Sequence, residues 1–433
     1  MMLTLAFVLG LSAVSFAAEV PDIRVQLSAN SNTAQVEVVE GEYLVLDSTT
    51  GMPLGRAKAG DECTIHKEGL NLELSGFTKC NKGSQSSQVY FYPLDRKKQC
   101  LLSFKNIEYV GIISFSNTDN GLVVVNSLPV EDYLYGVVGQ EMGYGAPLEA
   151  LKTQAVVSRS FALKKMGTGL YSDITSGSQV YRGYNAQQVS GFNKVKHAVD
   201  ATSGEVVCYQ DAIIDAVFHS NSGGFTEASE NIWQACVPYL RAVNSPEDEY
   251  ALRYAYQDAN GWPGNSYEWS VTLTREQLEE CIAAWNSAHP NDVINIGEVK
   301  DINLSRVDDS TGEATASGRV TAVTLEGAFG EKVIKKDSIR SFFKVNGNIL
   351  KSTLFDISFN RDSEAETSDL VAASNSSVSY TPTFSSLTIN GKGYGHGRGL
   401  SQWGARGMAD EEGADYADIV SHYYSGVEIK KLY

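Results

Sequence analysis

Histidine, cysteine and proline are all sparse in this chain, at six, six and ten of 433 residues. No two of the cysteines (Cys63, Cys80, Cys100, Cys208, Cys236 and Cys281) form a CxxC pair, which argues against a zinc ribbon and leaves disulfide pairing open. A metal site needs three convergent ligands. Two separated histidines, His219 and His396, with scattered cysteines do not make a recognisable set, so no metal or other cofactor is expected. The chain has no G-x-S-x-G elbow, so Ser158, Ser222 or Ser401 with a histidine base makes a poor hydrolase triad. Basic charge is also short: 35 Lys and Arg face 52 Asp and Glu, a net −17. That argues against nucleic acid as a partner, because phosphates are neutralised by clustered Lys and Arg, and against electrostatic adhesion to anionic lipid. Beyond the first residues no apolar run reaches membrane-spanning length.

What is present begins with Met1–Ala18, apolar from Leu3 to Phe16, with small Ser15 and Ala17 before a cleavage point after Ala17. This is a secretory signal pattern over residues 1–17, although no Lys or Arg precedes the apolar run; an uncleaved anchor is the alternative. The remainder, with 22 tyrosines and 20% charged residues, is an ordered globular chain. Residues 18–106 hold short β-branched and aromatic runs (Ile23–Leu27, Ala34–Val39, Tyr43–Leu46, Gln88–Tyr92) between glycine turns, a β-rich accessory region without a catalytic grouping. Residues 107–433 form the main domain, with an acidic, serine-rich surface loop over 362–380. The whole predicts an α+β fold: a strand-rich body with a central helical segment that carries the active-site loop.

That central segment is Gly136–Lys165. Pro129 opens a short helix with Val130, Leu134, Val137 and Val138 on one face, and Gly139 is expected to end it. Pro147 opens a second helix, with Leu148, Leu151, Ala155 and Ala162 on one face and Lys164 and Lys165 in its last turn. The loop between them presents Glu141. A glycosidic bond is cleaved by a protonated carboxylic acid that donates to the leaving oxygen, and apolar neighbours such as Val137, Val138 and Met142 raise the pKa such an acid needs. On pattern alone, a loop glutamate that caps the helix or pairs with Lys152 is the commoner case, since perturbed carboxylates are a minority of loop carboxylates. Other helices are expected over Lys194–Thr202, Thr274–Ala284 and near Asp415–Tyr424, the last with Asp415 as N-cap, and strands over Glu205–Tyr209 and Ile213–His219. In Gly393–Gly399, alternating glycines let the backbone approach another molecule around His396, or make a tight structural turn. Tyr181, Tyr184, Tyr394 and Trp403 are candidates to stack on sugar rings.

Taken together, Leu128–Leu134, Gly139–Met142 and Glu149–Val156 resemble the sporulation stage II protein D family, whose domain the amidase enhancers share (SpoIID/LytB). Ser178–Tyr181, Phe218–Gly224, Pro238–Leu240, Leu350–Thr353, Gly393–Ala405 and Tyr423–Val427 resemble later blocks in the same order. The resemblance implies a peptidoglycan-active protein of the bacterial cell envelope, secreted or otherwise outside the cytoplasm. Its catalytic members are lytic transglycosylases that cut glycan strands lacking stem peptides, and the family's catalytic glutamate maps onto Glu141. Other members bind peptidoglycan and stimulate an N-acetylmuramoyl-L-alanine amidase, so the partners implied are glycan strands and a cell-wall amidase or another envelope protein. Within the matched blocks, Gln140, Gln154, Arg159, Gln179, Tyr181, His219, Ser222, His396, Ser401 and Gln402 are the expected substrate-binding residues. Two departures stand out. Gly143 follows Glu-Met where the family often has proline, and Ser222 stands where some members have a zinc-binding cysteine. A metal-dependent hydrolase built on His219 and His396 is a third reading, and it predicts sensitivity to chelators.

Overall fold

The alternation of buried and exposed residues along Thr33–Glu40, where Ala34, Val36 and Val38 turn inward, sets the pattern for the first third of the chain. The computed structural model describes residues 19–433 apart from 78–85, 96–97, 234, 255–265, 309–310, 346 and 362–383. The expected signal segment, Cys80 and the whole 362–380 loop lie outside the described residues. Among the described residues no helix is long and apolar enough to cross a membrane.

Two sheets carry the strand-rich body. The larger runs in the order Ile174–Thr175, Asp22–Ser31, Gly121–Pro129, Ile112–Thr118, Gln88–Pro93, Glu42–Asp47, Pro53–Lys58. Its pairings are antiparallel except for Ile174–Thr175, which lies parallel to Asp22–Ser31. The second has five strands, Asn71–Ser75, Glu62–Glu68, Thr33–Glu40, Leu101–Phe104 and Ile107–Tyr109. Strands from before residue 106 thus share a sheet with strands after it, and both sheets feed one apolar core that includes Val25, Val36, Phe91, Leu102 and Phe115.

The helical segment packs on that body. It holds α1 (Val130–Tyr135), α2 (Val138–Met142), α3 (Leu148–Lys165) and α4 (Phe192–Ala201). Two expectations change here. Gly139 does not end the first helix; the chain breaks at Gly136 and starts again, so Glu141 stands on a helical turn and not in a loop. Helix α3 is not amphipathic but buried nearly all round, including the polar Gln154, Ser158, Arg159 and Ser160. It is enclosed by α1, α2, α4, the strand Glu205–Tyr209 and two C-terminal helices, and a helix enclosed in this way must satisfy its polar side chains internally.

Ile213–His219 is not one strand. Ala212–Ile213 pairs with Glu205–Tyr209, whereas Phe218–His219 pairs in parallel with Leu400–Ser401. Between those two parallel strands the chain builds a second core from Leu273, Leu278, Val323, Phe342, Phe355 and Leu387 among others. Two three-stranded sheets and the helix Arg275–Ala288 surround it, the helix started by a Thr274–Gln277 capping box. Ser338–Phe342 adds a short helix there. The chain then returns to the first core through Ile419, Val420, Tyr423 and Tyr424, on and just after a helix whose N-cap is Asp415, as its sequence predicts.

Candidate active site

Helix α2 ends because Gly143 adopts φ 85°, a conformation open to glycine and closed to proline, whose ring fixes φ near −65°. The Gly143 N–H donates to the Gly139 carbonyl at 3.0 Å and its own carbonyl accepts from Ala146 at 3.0 Å, so the turn is tied down. Gly139 lies so close to Tyr144 that a Cβ would come within 2.5 Å of the ring. Tyr144 in turn donates its hydroxyl to the Ala186 carbonyl (2.8 Å) and accepts from Gln140 (2.8 Å). These contacts hold Glu141 at the wall of a cavity of about 660 Å³.

The Glu141 carboxylate is held on both oxygens. The Val180 N–H donates to Oε1 at 2.6 Å and the Gln402 amide donates to Oε2 at 3.2 Å. Half-burial dominates over these two contacts and raises the carboxyl above the ordinary glutamate range. Behind Gln402, its amide also donates to Gln154 Oε1 at 3.3 Å, and Gln154 donates to Ser158 at 2.9 Å. A hydrogen-bonded chain therefore runs from Glu141 into the centre of α3. Gln402 opens the helix Gln402–Gly407, whose N-cap is Ser401. No other Asp or Glu lines the cavity among the described residues.

The expected binding residues divide. Gln140, Glu141, His219 and Gln402 line the cavity, and Gln154 stands behind Gln402. Tyr394, 44% exposed, also lines it, with Lys351 Nζ 5.7 Å from its ring centroid. His219 is buried, its Nδ1 3.0 Å from the Arg398 carbonyl, which assigns the proton to Nδ1. Burial with Arg319 and Arg398 nearby pushes its pKa down to about 3, so the ring is neutral. His396 packs 5.3 Å from His219, centroid to centroid, and is likewise driven to the neutral form by burial.

The others are committed elsewhere. Arg159, expected on the substrate, is fully buried and pairs with both Glu131 oxygens at 2.9 and 2.7 Å, joining α3 to α1. Gln179 is buried and accepts from the Tyr133 hydroxyl at 2.9 Å; Tyr181 is buried and donates to Asn126 at 2.7 Å. Trp403 is enclosed by Tyr250 and Tyr254 and presents no face to a sugar. Ser222 and Ser401 both donate to the buried carboxylate of Asp248, which also accepts from the Gly224 N–H at 3.0 Å. Each serine hydroxyl is thereby withdrawn from nucleophilic or metal-binding use, and among the described residues no three His, Cys, Asp or Glu side chains converge as metal ligands. The zinc that some SpoIID members bind does not fit this donor set.

Asp248, Tyr144, Val180 and Arg182 escaped the sequence reading. Asp248 sits in an acidic 3₁₀ stretch with no local signal, and Val180 acts through its backbone, which no side-chain pattern reports.

The family model described as Stage II sporulation protein matches residues 118–209, which include Glu141. A domain of unknown function (DUF8618) matches residues 226–399, so Gln402 lies beyond both. The amidase enhancer of Bacillus subtilis is 30% identical over 306 residues, 68% of this chain and 40% of that protein. The chain thus spans about two fifths of that relative's length. An uncharacterized protein of Brachyspira hyodysenteriae is 30% identical over 331 residues, 76% of this chain and 73% of the relative. The Stage II sporulation protein D of Bacillus amyloliquefaciens is 26% identical over 325 residues, 71% and 76% of the two chains. With these relatives and that matched domain, the chain belongs to the SpoIID family, the group that also contains the amidase enhancers.

Proposed function

We propose that this protein is a peptidoglycan lytic transglycosylase that cuts the bond between N-acetylmuramic acid and N-acetylglucosamine in glycan strands lacking stem peptides. The observation that carries this reading is a single carboxyl with a raised pKa at the wall of a cavity that offers no second acid among the described residues. The names of the relatives, a stage II sporulation protein D and an amidase enhancer, support a role at peptidoglycan in sporulation. A leader over residues 1–17 would place the protein outside the cytoplasm, where that polymer is.

Glycosidases with two carboxylates hold them about 5 to 9 Å apart, one for the proton and one for the water or the anomeric carbon. A lone carboxyl suits intramolecular chemistry instead. Protonated Glu141 donates to the glycosidic oxygen as the bond to the anomeric carbon breaks, and N-acetylglucosamine leaves with that proton. The Glu141 carboxylate then takes the proton from the C6 hydroxyl of the same muramyl residue as O6 bonds to the anomeric carbon. The product ends in a 1,6-anhydro ring, no water is consumed, and Glu141 is again protonated. Val180 and Gln402 keep both oxygens oriented through the cycle, and Gln402 also stabilises the carboxylate between its two roles.

The test is kcat/KM on denuded glycan strands against pH. A general acid must be protonated, so the rate falls as pH rises through the raised Glu141 pKa. Glu141→Gln loses roughly 100- to 10,000-fold, the usual weight of a positioned acid. A flat profile, or a Gln variant of native activity, overturns the assignment. The alternative, a non-catalytic peptidoglycan-binding activator of an N-acetylmuramoyl-L-alanine amidase, is favoured by the 30% identity to an amidase enhancer. On that reading the protein binds strands, cuts none, and accelerates the amidase equally well as the Gln variant.

A further inference from the structure

Arg182 is the one arginine or lysine lining the Glu141 cavity among the described residues. Unlike most arginines here, it is exposed, and its guanidinium has no hydrogen bond or ion pair among the described residues. Arg24, Arg159, Arg241, Arg275, Arg306 and Arg340 all pair with carboxylates, in a chain that has 52 of them to choose from. Arg182 acts electrostatically on the Tyr109 hydroxyl, a group that burial keeps neutral at ordinary pH. Arg182 and Glu141 line the same cavity. Its backbone is fixed by an N–H bond to the Gly136 carbonyl at 3.1 Å, and Val180, two residues earlier, is the donor to Glu141. One short segment therefore sets the spacing between the acid and this cation.

Resting on the glycan reading above, we propose that Arg182 binds the free lactyl carboxylate of a muramyl residue and so selects strands whose stem peptides have been removed. The chemistry that distinguishes the two kinds of strand is at that group. Where a stem peptide is attached, the lactyl carbonyl is a neutral amide; where it has been removed, the same position is a carboxylate. Guanidinium pairs with carboxylate through two parallel hydrogen bonds and has no comparable match for an amide. In a protein of net charge −17 an anionic strand is otherwise repelled, so a lone unpaired arginine at the site is where the strand's charge is met.

The experiment measures dissociation constants of the full chain for a short muramyl-containing glycan in two forms, one with the lactyl carboxylate free and one with it converted to the N-methylamide. The native protein is expected to prefer the free acid by roughly tenfold, in keeping with a charge-assisted pair at a partly exposed site. Arg182→Ala abolishes that preference, Arg182→Lys keeps part of it, and added salt weakens the free-acid form alone. A native protein that binds both forms equally, or an Ala variant that keeps the preference, overturns the role of Arg182 while leaving the glycan reading intact. A native protein that binds neither form overturns both.

Discussion

Glu141 is held in a state that costs stability at neutral pH. Burial raises its pKa in the folded chain, so the folded state holds the proton more tightly than the unfolded one. Its contribution is therefore full below the unfolded glutamate pKa of about 4.3 and is lost as pH rises through the raised folded value. Glu141→Gln, which removes the charge and keeps the shape, should have a higher Tm than the native protein at pH 7, and the gap should close at pH 4. Equal melting curves at pH 7 would mean that the carboxyl is not desolvated. Glu141 stood out in the sequence through the ordered family blocks around it, because apolar neighbours and glycines alone left a capping glutamate the commoner explanation. Gln402, which holds it, was legible only as part of a block 261 residues away, and Val180 was not legible at all because its backbone does the work. Arg159 misled for a physical reason: a helix buried on every side leaves no outward face, so its arginine is absorbed by Glu131.

Among the elements, α1 and α3 set the frame for α2, and the Arg159–Glu131 pair is the polar link between them. Glu131 also accepts from the Gly204 N–H at 3.0 Å and from the Tyr433 hydroxyl, so four segments meet on one carboxylate. Removing one partner of a buried pair leaves an uncompensated charge, and Arg159→Ala should cost about 3 to 5 kcal/mol. The double change Arg159→Met, Glu131→Leu should cost clearly less, read from urea midpoints. If Arg159 instead met the substrate, the Ala variant would raise KM with little loss of stability. The strands were the easier elements to read: Ile23–Leu27, Ala34–Val39, Tyr43–Leu46 and Gln88–Tyr92 fall within observed strands, since one-sided burial imposes a period of two. Boundaries near Gly136 and Gly139 were missed because the break there is made by tertiary contacts with Tyr181 and Tyr144, both close enough to exclude a Cβ.

On the scale of the molecule, the chain stays with the first core through Leu240 and Val243 and returns to it at Leu400, with a second core built in between from Leu273 on. The site lies where the two strands that bracket this excursion pair, so His219 and Gln402 meet across nearly two hundred residues. Separate cores are expected to melt as separate steps. Calorimetry should resolve two transitions, and Phe342→Ala, which costs about 3 to 5 kcal/mol at a fully buried ring, should lower only one of them. A single transition that shifts as a whole would show the cores to be one cooperative unit. Sequence patterns could not announce this arrangement, because strand and helix periods are local and the return of the C-terminal helix to the first core is not.

The central claim, that one glutamate both gives and takes the proton, is tested most directly by weighing the products formed from denuded glycan strands. The account predicts muramyl ends lighter by one water than hydrolysis would leave, formed by the native protein and lost in Glu141→Gln. Hydrolysed ends, or anhydromuramyl ends that persist in the Gln variant, would contradict it.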